Sequence, residues 1–197
     1  MRFLLIILLA MVACSTPTPP KEQTIQQVTS GGVFEGIPSG ANKEEFASTP
    51  GLVRVTLQDN AGKKASDGNY LNGKREGSWA EYQPNGIVKN LTSYVGGEKE
   101  GIYIEMNNTG QLTKRFYYHK GLRHGDYKEF NYTNIKEERI YVNGKLEGTV
   151  KIYYDNTKLM EEGLYKNGLR DGLSKWYDQE GKLTIEYEYR NGALIKK

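Results

Sequence analysis

Cysteine is nearly absent. Cys14 is the only one, so no intrachain disulfide can form, stability must come from packing, and a thiolate metal centre has no ligand set. Histidine stops at His119 and His124, five residues apart, which leaves hydrolytic or transfer chemistry short of a neutral base. There is no mass of one charge. Twenty-seven Lys and Arg face 24 Asp and Glu for a net charge of +3, and the cations are interleaved with Glu in KREG, GEKEG and NIKEER, which describes a solvated surface and excludes a nucleic-acid patch. Proline is confined. Five of the six prolines lie between residues 15 and 50, in STPTPPKEQTIQQVTSGGVFEGIPSGANKEEFASTP, a stretch without sustained apolar period. It reads as a disordered tether, because too little apolar surface is on offer to offset the entropy of ordering. Within it only Val33, Phe34 and Ile37 offer an alternative, packing on the domain edge. No helical segment is present to cover a sheet.

What the chain has in excess is glycine, 23 residues, and tyrosine, 15 residues. Gly supplies turn backbone with positive φ and Tyr favours strands, so the pair indicates β structure with many turns. The glycines are spaced by rule. Gly73, Gly97, Gly121, Gly144, Gly168 and Gly192 follow one another at intervals of 24, 24, 23, 24 and 24, the mark of a repeat architecture. Three residues before each stands Tyr70, Tyr94, Tyr118, Tyr141, Tyr165 or Tyr189, and four residues after the first five stands Gly77, Gly101, Gly125, Gly148 or Gly172. Nine residues before the last five lies an aliphatic: Val88, Leu112, Ile135, Leu159 or Leu183. The even separation of aliphatic and Tyr predicts that they share one face of a strand.

Each unit therefore reads as a β-hairpin. Its first strand carries Tyr82, Met106, Phe130, Tyr153 or Tyr177; its turn is written PNG, NTG or QEG; its second strand leads to an NG-x-x-x-G loop. Asn134 and Thr157 stand where a turn Gly is expected, which predicts looser turns in the third and fourth units. Leu52–Gln58, LVRVTLQ, alternates apolar and polar and reads as a degenerate leading unit, while NGALIKK opens a sixth unit. The expected fold is all-β, an elongated single-sheet meander of about twelve strands over residues 51–197, each hairpin packing on its neighbours.

The N-terminal stretch MRFLLIILLAMVAC is a cation followed by an apolar run too short to span a ~30 Å hydrocarbon core, which is the form of a signal peptide. Met11-Val12-Ala13-Cys14 resembles the bacterial lipobox. That resemblance implies removal of residues 1–13, acylation of Cys14, a lipidated linker over residues 14–50, and, with Ser15 rather than Asp following, an outer-membrane address in a bacterial envelope. A secretory signal with an incidental cysteine and a retained anchor are the competing readings.

YLNGKREGSWAEYQPNG from Tyr70 and YKNGLRDGLSKWYDQEG from Tyr165 resemble the bacterial variant of the MORN repeat, over about residues 51–197. The resemblance implies a hairpin meander with a binding role and carries over no catalytic residue, metal or cofactor. Many bacterial members are described as YwqK-type antitoxins.

The repeated Tyr and Gly positions are construction residues. Among the less regular aromatics, which also include Tyr117 and Tyr154, the candidates for partner binding are Trp79, Tyr103, Tyr127 and Trp176, since exposed rings on a rigid sheet are favoured interface anchors and also stack on sugars. Val150 and Ser174 replace the ring in the fourth and fifth units, with Trp176 two residues further on the same face as compensation. The two histidines read as loop variation. Adjacent carboxylates, Glu137-Glu138 and Glu161-Glu162, fall on opposite strand faces and form no acid–base pair. The expected function is non-enzymatic: a lipid-anchored envelope protein whose sheet binds a protein partner. An antitoxin or immunity protein, and a glycan- or lipid-headgroup-binding module, are the alternatives.

Overall fold

A computed structural model describes residues 34–196. The signal segment, Cys14 and the first part of the linker lie outside the described residues. Every regular element is a strand: β1 Asn42–Glu45, β2 Leu52–Gln58, β3 Lys64–Leu71, β4 Lys74–Tyr82, β5 Val88–Val95, β6 Glu98–Met106, β7 Leu112–His119, β8 Leu122–Arg123, β9 Gly125–Asn131, β10 Asn134–Val142, β11 Lys145–Leu146, β12 Gly148–Tyr153, β13 Leu159–Lys166, β14 Leu169–Tyr177, β15 Leu183–Arg190 and β16 Ala193–Lys196. All sixteen described strands join one open sheet, and each pairs antiparallel with the next along the path, the two-residue β8 and β11 attaching beside it.

The folded part begins earlier than residue 51. Ile37 is buried with Val53, Val55, Tyr70, Trp79 and Tyr94, Phe34 and Ala41 pack against that cluster, and β1 pairs with β2. Glycines admit the close backbone approach of this stretch to the first turn. A Cβ on Gly73 would stand 2.2 Å from the Glu35 carbonyl oxygen, and one on Gly36 would stand 2.7 Å from that of Gly73.

The NG-x-x-x-G stretch is not a loop. The two residues before the strand resumes both have positive φ, as at Asn72 (50°) and Gly73 (79°), or Asn191 (47°) and Gly192 (83°), the pattern of a type I′ turn, whose twist matches that of the flanking strands. The following Gly lies within or at the start of a strand. Each turn is then tied to the preceding unit by its own backbone: Gly97, Gly121, Gly144, Gly168 and Gly192 donate N–H to the carbonyls of Arg75, Lys99, Arg123, Leu146 and Arg170 at 2.8–2.9 Å. The first turn position is Asn72, Gly96, Asn143, Asn167 or Asn191 everywhere except Lys120, which holds φ 49°. Lys120→Asn should therefore raise stability by about 0.5–1 kcal/mol, since Asn tolerates the left-handed region that Lys resists. An unchanged or lowered urea midpoint would show that the turn is not strained.

The opposite turns also depart from expectation. Thr157 takes φ 68° and its N–H reaches the Tyr154 carbonyl at 2.9 Å, the same bond that Gly86 makes to Gln83 at 2.8 Å, so this turn is as closed as the Gly turns. In the third unit the turn is Tyr132-Thr133, with Asn134 already in β10; it is tighter by one residue, which accounts for the interval of 23.

One β-bulge recurs at the same place in every unit, in addition to the register shifts on the strands after the NG turns. The register skips Ala65, Lys89, Thr113, Lys136, Met160 and Thr184, at the same intervals as the glycines. A bulge places two residues opposite one and offsets the alternation. Val88, Leu112, Ile135, Leu159 and Leu183 accordingly pair with Tyr82, Met106, Phe130, Tyr153 and Tyr177 on the face away from the Tyr ladder, not with it. Sequence spacing alone hides this because the bulged residue looks like any other.

Candidate functional site

The sheet has two unlike faces. Tyr70, Tyr94, Tyr118, Tyr141, Tyr165 and Tyr189 define the ring face. Beside them runs a row of cations two residues after four of the six turn glycines, Leu146 and Leu194 taking that place after Gly144 and Gly192: Arg75 lies 4.4 Å from the Trp79 ring and 5.2 Å from that of Tyr94, Lys99 5.0 Å from Tyr118, Arg123 4.9 Å from Phe116, and Arg170 5.2 Å from Tyr165. These cations, taken from sequence as a solvated surface, cover the rings and gain cation–π attraction.

Of the aromatics expected to bind a partner, two are core. Trp79 is 2% exposed and Tyr127 5%, the first edge-on to Tyr70 at 5.6 Å and the second stacked on Phe116 at 5.6 Å. Their rings lie under neighbouring units rather than on the surface, because each successive strand lays its own side chain across the last. Tyr103 and Trp176 are half-buried. Tyr103 stacks on Phe116 at 4.4 Å and Trp176 meets Tyr187 edge-on at 5.7 Å. Tyr154 donates its hydroxyl to the Tyr177 carbonyl at 2.7 Å.

His119 and His124 stand 5.5 Å apart between ring centroids. His119 meets Glu100 at 3.0 Å. His124 occupies a capping position: Glu76, Glu100 and Glu147 accept the N–H of Gly96, Lys120 and Asn167 at 2.8–2.9 Å, and His124 Nδ1 accepts that of Asn143 at 3.4 Å. Among the described residues no group of three or more His, Cys, Asp or Glu is placed to hold a metal ion.

The opposite face carries a different pattern. Across its centre the directly paired strands place Lys128, Glu138, Lys151, Glu162, Lys175 and Glu186 side by side, alternating in sign without a break. Tyr153 donates its hydroxyl to Glu138 and Tyr177 to Glu162, both at 2.8 Å, as Tyr82 does to Asp67 at 2.7 Å. Where Met106 and Phe130 replace that Tyr, the corresponding partner position fifteen residues earlier is Leu91 or Arg115, neither of which needs a hydroxyl. Next to the charged row lies an apolar one. Tyr117 is 38% exposed and Ile140, Leu164 and Leu173 are each 42% exposed, with half-buried Ile102 paired to Tyr117. Two depressions of about 240 and 220 Å³ flank Thr149, one beside Ile140 and one between Leu164 and Leu173. Sequence reading missed this row. Its signal is a residue four places before the turn glycines, Tyr117, Ile140 and Leu164; Tyr117 stands out as an irregular aromatic, but Ile140 and Leu164 share no residue identity with it.

Two carboxyls on this face, Asp67 and Glu138, are held below the usual carboxylate range. Burial alone would raise the Asp67 carboxyl, but hydrogen bonds from Tyr82, Arg54 and Lys64 outweigh it and hold it below the usual range; the hydrogen bond from Lys128 likewise lowers Glu138. A carboxyl depressed in the folded state contributes stability above its unfolded pKa, ~4, and loses that contribution as pH falls through the folded value. The urea midpoint should stay level from about pH 7 to 5, fall below about pH 4, and fall less steeply in Asp67→Asn; a midpoint indifferent to acid would contradict these assignments.

Fold and surface together define an open-sheet protein of tandem hairpin units with two separately built faces. Compared with known families, the chain matches a MORN repeat variant at residues 146–167 and 170–191, which cover β12 and β13, then nearly all of β14 and β15. No curated protein matches the chain.

Proposed function

We propose that this chain is a non-enzymatic binding protein that docks a protein partner on the face opposite the Tyr ladder, and that a lipid on Cys14 anchors it in a bacterial envelope, in the outer membrane. The single observation that carries the docking assignment is the exposed row Tyr117, Ile140, Leu164 and Leu173 bordered by charges of alternating sign. Apolar anchors supply affinity, and alternating charge fixes register against a complementary protein surface. Two depressions one unit apart suit side chains from an extended partner. The MORN repeat variant at residues 146–191 is compatible with this scaffold role. An antitoxin is the special case in which the partner is a toxin, and it requires one-to-one binding and a viability cost on deletion.

The test is crosslinking and recovery of partners from the native envelope with wild type, Cys14→Ser, Trp176→Ala and Ile140→Lys/Leu164→Lys. Ile140 pairs with Asp126, so the lysine there meets an opposite charge and the fold should survive. The expected result is one partner retained by Trp176→Ala and lost from the double variant. Retention of the same partner by the double variant would remove the docking assignment, and recovery unaffected by Cys14→Ser would remove the anchor from the reading.

A further inference from the structure

The ring face holds a gap that the chain does not fill. Along its central row the glycines at 68 and 163 are overlaid by larger neighbours. The space over Gly68 is taken by Trp79, whose Cε3 would stand 2.3 Å from an added Cβ, and the space over Gly163 by Arg170, whose Nη1 would stand 2.9 Å away. Thr92 is itself only 5% exposed, but it is short between two rings and lines the floor of a groove. It pairs with Trp79 on one side and Tyr103 on the other, while the nearest cations lean away from it, Arg75 onto Trp79 and Tyr94, Lys99 onto Tyr118. What remains is a groove of about 330 Å³, within the ~300–1,000 Å³ range of ligand sites.

The groove's two rims differ in chemistry. Along one rim stand Lys99 and Arg123, which line the groove and lie over aromatic rings, Lys99 on Tyr118 and Arg123 on Phe116. Along the other stand Glu81, which takes an amide N–H from Asn90 at 2.8 Å, and Glu105, which takes Lys114 at 2.9 Å and the Tyr103 hydroxyl at 3.1 Å. Burial would push Glu105 up, but the Lys114, Tyr103 and Thr113 hydrogen bonds keep it below the usual range. Its carboxylate therefore stays an acceptor at neutral pH.

Such a site asks for a ligand with a carboxylate on one side, several hydroxyl donors on the other, and an apolar ring face between them to lie on Tyr103. We infer that the groove binds an acidic saccharide, its carboxylate toward Lys99 and Arg123 and its hydroxyls donating to Glu81 and Glu105. A peptide supplies few hydroxyls for two carboxylates and finds no apolar pocket on this floor. The site lies on the face opposite the docking row, so it stands or falls independently of that assignment.

Calorimetric titration of the full chain with trigalacturonate, maltotriose and a triglutamate peptide tests the inference. Trigalacturonate should bind, with maltotriose weaker by about tenfold or more, the loss expected when a charge-assisted contact is missing, and triglutamate weaker still. Lys99→Gln should weaken trigalacturonate about tenfold and leave maltotriose unchanged, Thr92→Leu should abolish both by filling the groove, and Ile140→Lys on the other face should change neither. Should Thr92→Leu melt early, Glu81→Gln on the exposed rim takes its place and should weaken both sugars. Failure of trigalacturonate to bind, equal binding of maltotriose, triglutamate binding as tightly, or indifference to Lys99→Gln would each overturn the assignment.

Discussion

Trp79→Ala should lower stability by about 3–5 kcal/mol, the cost of emptying a fully buried large side chain, and leave partner capture intact in the molecules that remain folded. Trp79 lies 2% exposed at the centre of the cluster formed by Ile37, Val53, Val55, Tyr70 and Tyr94. The site cannot collapse onto the cavity from below, since Gly68 offers no side chain to move into it and the Arg75 guanidinium above is needed by Tyr94, whose hydroxyl it holds at 3.0 Å. In a structure whose units contact mainly their neighbours, the loss should be local. Hydrogen exchange should rise in β2 to β5 while the second cluster, around Phe116, Tyr127 and Tyr141, keeps its protection. Trp176→Ala, at a half-buried ring, should cost only about half as much by lost apolar burial. Equal losses at the two tryptophans, or a Trp79→Ala protein of wild-type stability that no longer captures its partner, would reverse the division between core and surface drawn here.

That contrast shows what the sequence exposes and what it conceals. The period, the hairpin units and the leading strand Leu52–Gln58 could be read from the spacing of Tyr70, Gly73 and their counterparts, because turns demand particular residues at fixed places. Burial could not. Trp79 and Trp176 look alike in sequence, but Trp79 lies over Gly68 on its preceding strand while Trp176 faces the larger Glu161 there. The bulge at Lys89 and its counterparts is silent for the same reason: it has no residue preference here, Ala65, Thr113 and Met160 serving equally, yet it moves five aliphatic side chains to the other face. Arg75 and Arg170 lie half-buried among rings although their neighbours in KREG and LRDG are ordinary surface residues, since an Arg stem and guanidinium pack on aromatic faces as well as in water. The alternating row Lys128 to Glu186 draws one residue from each of six strands, and no linear window contains it.

Arg170→Met should cost about 2–4 kcal/mol, less than the loss of a wholly buried ion pair because both side chains keep some contact with water. Arg170 does three jobs in one place. Its Nη2 donates to Glu161, its Nη1 donates to the Ser174 hydroxyl at 2.8 Å, and its guanidinium lies 5.3 Å from the Trp176 ring and 5.7 Å from that of Tyr189. Ser174 is 0% exposed, so without Arg170 a fully enclosed hydroxyl and the Glu161 carboxylate, 13% exposed, both lose their donor. Methionine restores the volume over Gly163 but neither hydrogen bond, which isolates the polar contribution from the packing one. Arg170→Lys should fall between, because one ammonium cannot serve Glu161 and Ser174 while lying flat against two rings. Arg170→Met/Glu161→Gln should recover part of the loss by removing the stranded charge. If Arg170→Met is as stable as wild type by urea denaturation, the cation row is decoration on the Tyr ladder; if the double variant is no better than the single one, the cost lies in the rings rather than in the ion pair.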